Sequence, residues 1–149
     1  TGTLASPKFA TLVQREAPEV RILLRPCPEW VALVEQGELS GSRVEAAVRA
    51  PVAELRAAGA DVLVLGCTHF PFLRDAIQAA AGPGVPLLET GTPVARWLRH
   101  QLQERGLLRE AGPGELRLET TGSAPALAAL ASRLLGSPLE AAATPERWR

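Results

Sequence analysis

The 149-residue sequence contains no methionine, no tyrosine, no asparagine and a single lysine, Lys8. It has only two cysteines, Cys27 and Cys67, too few for a scaffold stapled by disulfides, and a chain of this length can bury a core without them. An excess of either charge is missing as well: 16 basic residues face 16 acidic ones, which excludes a strongly basic nucleic-acid or membrane surface. No window approaches the roughly 18 apolar residues of a membrane-spanning helix. The opening stretch TGTLASPKFATLVQ lacks the basic start and long apolar run of a signal peptide. These absences predict a soluble protein of a reducing compartment, the cytoplasm. A chain that starts at Thr1 and holds no methionine reads as processed or as part of a longer chain. Neither a G-x-G-x-x-G segment nor a Walker A lysine is present, so no nucleotide-phosphate cradle is expected.

Short apolar runs alternate with longer amphipathic ones. Arg21–Pro26 (RILLRP), Asp61–Cys67 (DVLVLGC), Val85–Thr90 (VPLLET) and Leu116–Gly122 (LRLETTG) read as strands. The first three are nearly continuous in apolar character, as in a parallel sheet covered on both faces. Helices are expected over Pro28–Gln36, Ser42–Ala58, Phe72–Ala81, Pro93–Arg105 and Ala124–Leu135, with glycines closing most of them. Ser42 is a candidate N-cap, with Glu45 placed to complete a capping box. Pro51 should kink or split its helix. The fold class is therefore α/β with a parallel sheet, in one domain or two small lobes. The closing stretch SPLEAAATPERWR shows no core role.

The run DVLVLGCTHFPFL carries the most chemistry. Cys67, Thr68 and His69 follow the most apolar strand, at the carboxyl end where open parallel sheets bind ligands. Gly66 lets the backbone turn, and Pro71 announces a helix whose first amides can hold a carboxylate. A helix start and an imidazolium both lower a thiol pKa, so Cys67 can act as base or nucleophile with His69 assisting. The plainer reading is a packing thiol beside a hydrogen-bonded loop histidine, and spacing alone leaves both open. Cys27, before Pro28, has packing as its default. The spacings of the two cysteines and the two histidines, His69 and His100, fit no zinc finger or ribbon, so no metal is expected. Glu35 lies at a helix end where an acid is poorly matched to the macrodipole, which hints at a role, although a solvated glutamate is the default. A Cys–His hydrolase would need an orienting residue near Cys67, and the lack of asparagine weighs against it.

VLVLGCTHFPFL resembles the second cysteine motif of the glutamate racemases of the aspartate/glutamate racemase family, a strand followed by GCTHYPLL. Three further segments match in order. GTLAS (Gly2–Ser6) is similar to the G-x-L-A-T strand and loop that opens that family's second lobe. RPCPEWVALVEQG (Arg25–Gly37) is similar to its CP-x-x-V-P-L-V-E-x-G segment. LRLETTGSAPALAALASRLLG is similar to its closing TTGD segment and final helix. Related aspartate racemases carry GCTE at the motif, so His69 favours glutamate. The departures are Ser6 for threonine, Phe70 for tyrosine and a loose ETGTPVAR in place of D-S-A-x-x-x-A-R. Nothing here matches the family's N-terminal lobe, with its aspartate, its second cysteine and part of its substrate contacts.

The resemblance implies a three-layer parallel-sheet lobe over residues 1–88 bearing the GCTH motif, the closing segment of a second similar lobe over 89–136, and a tail over 137–149. It implies cofactor-independent interconversion of L- and D-glutamate for peptidoglycan synthesis by two thiols on opposite faces of the α-carbon. Cys67 would be one thiol and His69 its helper; Thr68, Ser6 and Glu35 would hold substrate. The implied partners are L- or D-glutamate and the N-terminal lobe, with no nucleic acid and no membrane; a homodimer is compatible. With one thiol of the pair, the 149-residue chain alone is expected to be inactive and to expose apolar surface near its last strands. A related amino-acid racemase, or an inactive homologue that binds an acidic amino acid, are the alternatives within this resemblance.

Overall fold

Three helix starts are written into the sequence by proline near the first turn, where its missing N–H costs nothing. They are α1 (Pro7–Glu16), α2 (Pro28–Glu35) and α6 (Ala124–Leu135). In α1 and α6 a serine supplies the cap: Ser6 Oγ accepts the Phe9 amide at 3.2 Å, and Ser123 Oγ accepts the Ala126 amide at 3.3 Å. The computed structural model describes residues 4–109 and 111–144. Between these helices lie α3 (Ser42–Ala57), β1 (Leu63–Leu65), a 3-10 turn (Phe70–Leu73), α4 (Arg74–Ala81), β2 (Leu87–Glu89), α5 (Gly91–Glu104) and β3 (Leu118–Thr120); β4 (Ala141–Ala143) comes last.

The chain divides into two units at Leu88/Glu89, with Glu35–Gly37 belonging to the second. In the first, β1 and β2 are neighbours in a sheet, and the Leu63 amide donates to the Pro86 carbonyl at 3.0 Å. The connection between them runs through α4, the helical crossover that parallel strands need. Alternation along β1 sends Leu63 and Leu65 inward and leaves Val64 exposed. The inner residues belong to a core with Trp30, Leu33 and Val34 of α2, Val44, Val48 and Val52 of α3, and Leu73 and Ile77. Gln78 closes this unit's turn by donating to the carbonyls of Gly82 (2.8 Å) and Val85 (3.0 Å).

In the second unit β3 and β4 pair parallel, Leu118 opposite Ala141 and Thr120 opposite Ala143. Ser132 of α6 ties this hairpinless pair to the helix: its hydroxyl donates to the Ala128 carbonyl at 2.7 Å and accepts the Leu139 amide at 2.9 Å. The closing stretch thus contributes a strand that its alanines did not announce.

Several expectations need correction. Arg21–Pro26 is not part of a sheet ladder; Ile22 and Leu24 are 41% and 47% exposed, and Arg25 is tethered instead through its ion pair with Glu54 at 2.6 Å. Its apolar run satisfied a strand's pattern without supplying a ladder partner. Ser42 does not cap α3. Gly41, at φ +98°, takes that place without a side-chain bond, and Ser42 is already helical. Pro51 does not split α3, and its ring is buried in the unit's interior. The helix expected from Phe72 begins as the 3-10 turn at Phe70 and becomes α-helical at Arg74. α1 was not expected at all, and Gly2 and Thr3 of the anticipated GTLAS strand lie outside the described residues. Leu107, Leu116 and Leu135 are exposed large apolar residues around the last elements, as expected. Among the described residues no helix is long and apolar enough to cross a membrane.

Candidate active site

β1 ends at Leu65, and the chain then turns through Gly66–His69 into the 3-10 turn. The turn is fixed at both ends. The Phe70 amide donates to the Cys67 carbonyl at 3.2 Å, and the Phe72 amide donates to the His69 carbonyl at 3.1 Å. Pro71, which has no N–H to lose, occupies an early position of the turn. This local geometry brings the Cys67 Sγ to 3.7 Å from His69 Nδ1. Both side chains are half-buried, and Thr68 between them is exposed. A thiol and an imidazole at this separation can share a proton: a thiol S–H donates to the ring nitrogen, or an imidazolium N–H stabilises the thiolate. Cys67 is therefore reachable, paired with a titratable base, and carried at the strand end where a ligand can approach.

Cys27 is the opposite kind of thiol. It is 5% exposed and donates to the Arg25 carbonyl at 3.6 Å. Burial, reinforced by the Glu29 carboxylate, pushes it up to about 11. At neutral pH it is a protonated packing residue, neither base nor nucleophile.

The other expected site residues are distributed differently. Ser6, in the same unit as Cys67, uses its hydroxyl to cap α1. Glu35 is exposed at the end of α2 and belongs to the second unit, whereas Cys67, Thr68 and His69 lie together in the first. Among the described residues no group of three or more His, Cys, Asp or Glu side chains is arranged to hold a metal ion. One feature was missed in the sequence: Trp30 of α2 meets Phe70 edge to face, ring centroids 4.9 Å apart and planes at 68°. The only signal was an aromatic in each of two separate motifs, and the 39 intervening residues hid the contact.

The family model for Asp/Glu/Hydantoin racemases matches residues 2–98, a span that contains the whole Cys67–His69 turn. The chain belongs to the Asp/Glu/Hydantoin racemase family. Within that family it is 42% identical, over 127 residues, to a glutamate racemase from Pseudomonas putida. That match takes in 85% of this chain and 48% of the relative, so the chain spans about half the length of the curated relatives it matches. Among solved structures, a glutamate racemase isoform from Bacillus anthracis superposes with a TM-score of 0.85 at 25% identity, covering 97% of this chain and 54% of that one. A glutamate racemase from Thermus thermophilus, solved in complex with beta-chloro-D-alanine, is 35% identical with a TM-score of 0.67, covering 90% of this chain and 52% of that one.

Proposed function

We propose that the chain carries one half of a cofactor-independent glutamate racemase site, with Cys67 as its thiol acid or base. The observation that carries this reading is the Cys67–His69 pair at 3.7 Å, at a strand end and inside the span matched by the family. The names of the relatives supply the substrate: they are glutamate racemases, and the Thermus thermophilus enzyme holds an amino-acid analogue. Inversion at an α-carbon needs a base on one face of a planar intermediate and an acid on the other. A thiol serves as either once its pKa approaches neutrality. Cys67 removes the α-proton as thiolate from one enantiomer and, in the reverse direction, returns a proton as thiol to the same face of the planar intermediate to re-form that enantiomer, while a second thiol does the same on the opposite face. His69 takes and gives back the proton that sets the state of Cys67. Thr68, and Ser6 and Glu35 less directly, contribute substrate contacts. The division at Leu88/Glu89 supports reading residues 1–88 as a substrate lobe, with 89–136 as the closing segment of another lobe and 137–149 as a tail. The activity would supply D-glutamate for peptidoglycan in the cytoplasm.

Cys27, buried and pushed up to about 11, does not fit as the second thiol. The 149-residue chain by itself therefore racemises glutamate negligibly, and activity requires a polypeptide that brings a second thiol. Incubation with L- or D-glutamate in heavy water, followed by chiral analysis, tests this directly. Little exchange is expected from the chain alone. Fusing it to the unmatched half of the Pseudomonas putida relative should restore interconversion, and Cys67→Ala in the fusion should abolish it. Robust racemisation by the 149-residue chain, lost in Cys67→Ala, would sink the half-site reading.

A further inference from the structure

We infer that Trp30 is a positioning residue for the Cys67–His69 pair. The inference rests on the racemase reading for its purpose but not for its geometry. Trp30 is 4% exposed, and its indole N–H donates to the Ala47 carbonyl of α3 at 3.1 Å. Its backbone amide donates to the Cys27 carbonyl at 3.2 Å, so the residue is held by main chain on one side and by α3 on the other. An indole fixed in this way is a rigid wall. Phe70 packs against that wall edge to face at 4.9 Å, the geometry aromatic pairs prefer.

Phe70 is the residue immediately after His69, and its amide closes the turn onto the Cys67 carbonyl. Fixing the Phe70 ring therefore fixes the peptide that carries the imidazole, and with it the separation between Sγ and Nδ1. Without the ring-to-ring contact the turn keeps its backbone bonds, but its side chains gain rotational freedom. His69 then spends less time within reach of the thiol. Two pieces of sequence that lie far apart, CPEW and GCTHF, are joined by this contact and by no catalytic group. Trp30 takes no part in the proposed proton transfers and acts through Phe70.

The test is the alkylation rate of Cys67 by iodoacetamide at pH 7, followed by peptide mass spectrometry on the full chain, with buried Cys27 as an internal report of opening. Trp30→Leu should slow Cys67 labelling about three- to tenfold, the rate equivalent of an aromatic pair's geometric preference. Trp30→Phe, which keeps an aromatic edge, should recover most of the rate. In a double-mutant cycle the effects of Trp30→Leu and His69→Ala should not add, because both remove the same assistance. Phe70→Leu provides the same cycle from the other side of the contact and decides the matter if Trp30→Leu exposes Cys27 to labelling. Additive effects in the Phe70→Leu cycle, or a Trp30→Leu rate equal to wild type, would overturn the inference. Labelling that follows the cycle in a fusion that racemises no glutamate would defeat the functional reading and leave the positioning role intact.

Discussion

Two helices with similar apolar spacing meet opposite fates. On α3, Val44, Val48 and Val52 recur every four residues and are 0%, 0% and 1% exposed. On α5, Val94, Trp97 and Leu98 follow the i, i+3, i+4 pattern and are 60%, 63% and 51% exposed. Amphipathic spacing states that one face of a helix must be covered; it does not name the cover. For α3 the cover includes α4, within the same unit. The lesson is that a sequence pattern reports a face, and the rest of the chain decides whether that face becomes a core.

The sharpest way to break this contrast is to truncate one residue from each region. Leu73→Ala empties a fully buried site at the end of the 3-10 turn and should destabilise the chain by about 2–5 kcal/mol, transfer and cavity costs together. Trp97→Ala removes a larger side chain from an exposed face and should change stability by no more than about 0.5 kcal/mol. Urea denaturation of both variants checks the pair. A Trp97→Ala cost close to that of Leu73→Ala would show that α5 is packed in solution.

The two thiols sharpen the comparison within one unit. Cys27 has a folded pKa pushed up to about 11 from the ordinary 9.0, first by burial and then by Glu29. The folded state therefore holds this proton more tightly than the unfolded state. Its contribution is fully present below about pH 9 and is lost as pH rises toward 11, because the unfolded chain ionises first. The loss should be on the order of 2 kcal/mol between those limits. Cys27→Ala should flatten that part of the stability profile. The absence of tyrosine and the presence of one lysine reduce the other titrations in this pH range, and the difference between wild type and Cys27→Ala removes what is common to both. A wild-type profile as flat as that of Cys27→Ala would mean that Cys27 is hydrated in solution.

The turn that carries the candidate site was more legible than the sheet. GCTHFP encodes its own turn: glycine, then a thiol and an imidazole two residues apart, then a proline that starts the next helical turn. Local backbone geometry is enough to bring Sγ and Nδ1 within 3.7 Å. The end of α6 was legible for a similar reason, since Gly136, at φ +68°, is a local stop signal. Arg21–Pro26 failed because a strand is completed by a neighbour, and its apolar letters carry no information about who that neighbour is. β4 failed in the opposite direction: three alanines have little strand preference, and their pairing with β3 is imposed by contact. The Trp30–Phe70 stack was invisible for the same reason. Contacts between distant segments are the part of a structure that spacing does not write.

The two serine caps give the smallest and most local form of the same contrast. Ser123 and Ser6 make nearly identical bonds to the amide three residues on, at 3.3 and 3.2 Å. The helices they begin differ, however. α6 buries Ala131 and holds β4 through Ser132, whereas no residue of α1 is buried. A cap contributes to global stability only when its helix is coupled to a core; otherwise its loss frays a segment that was already free to open. Ser123→Ala should therefore lower stability by about 1 kcal/mol and reduce amide-exchange protection through α6. Ser6→Ala should leave the denaturation midpoint unchanged and speed exchange only within α1. If Ser6→Ala also weakens glutamate turnover in an active fusion without altering α1 exchange, its hydroxyl serves the substrate rather than the helix.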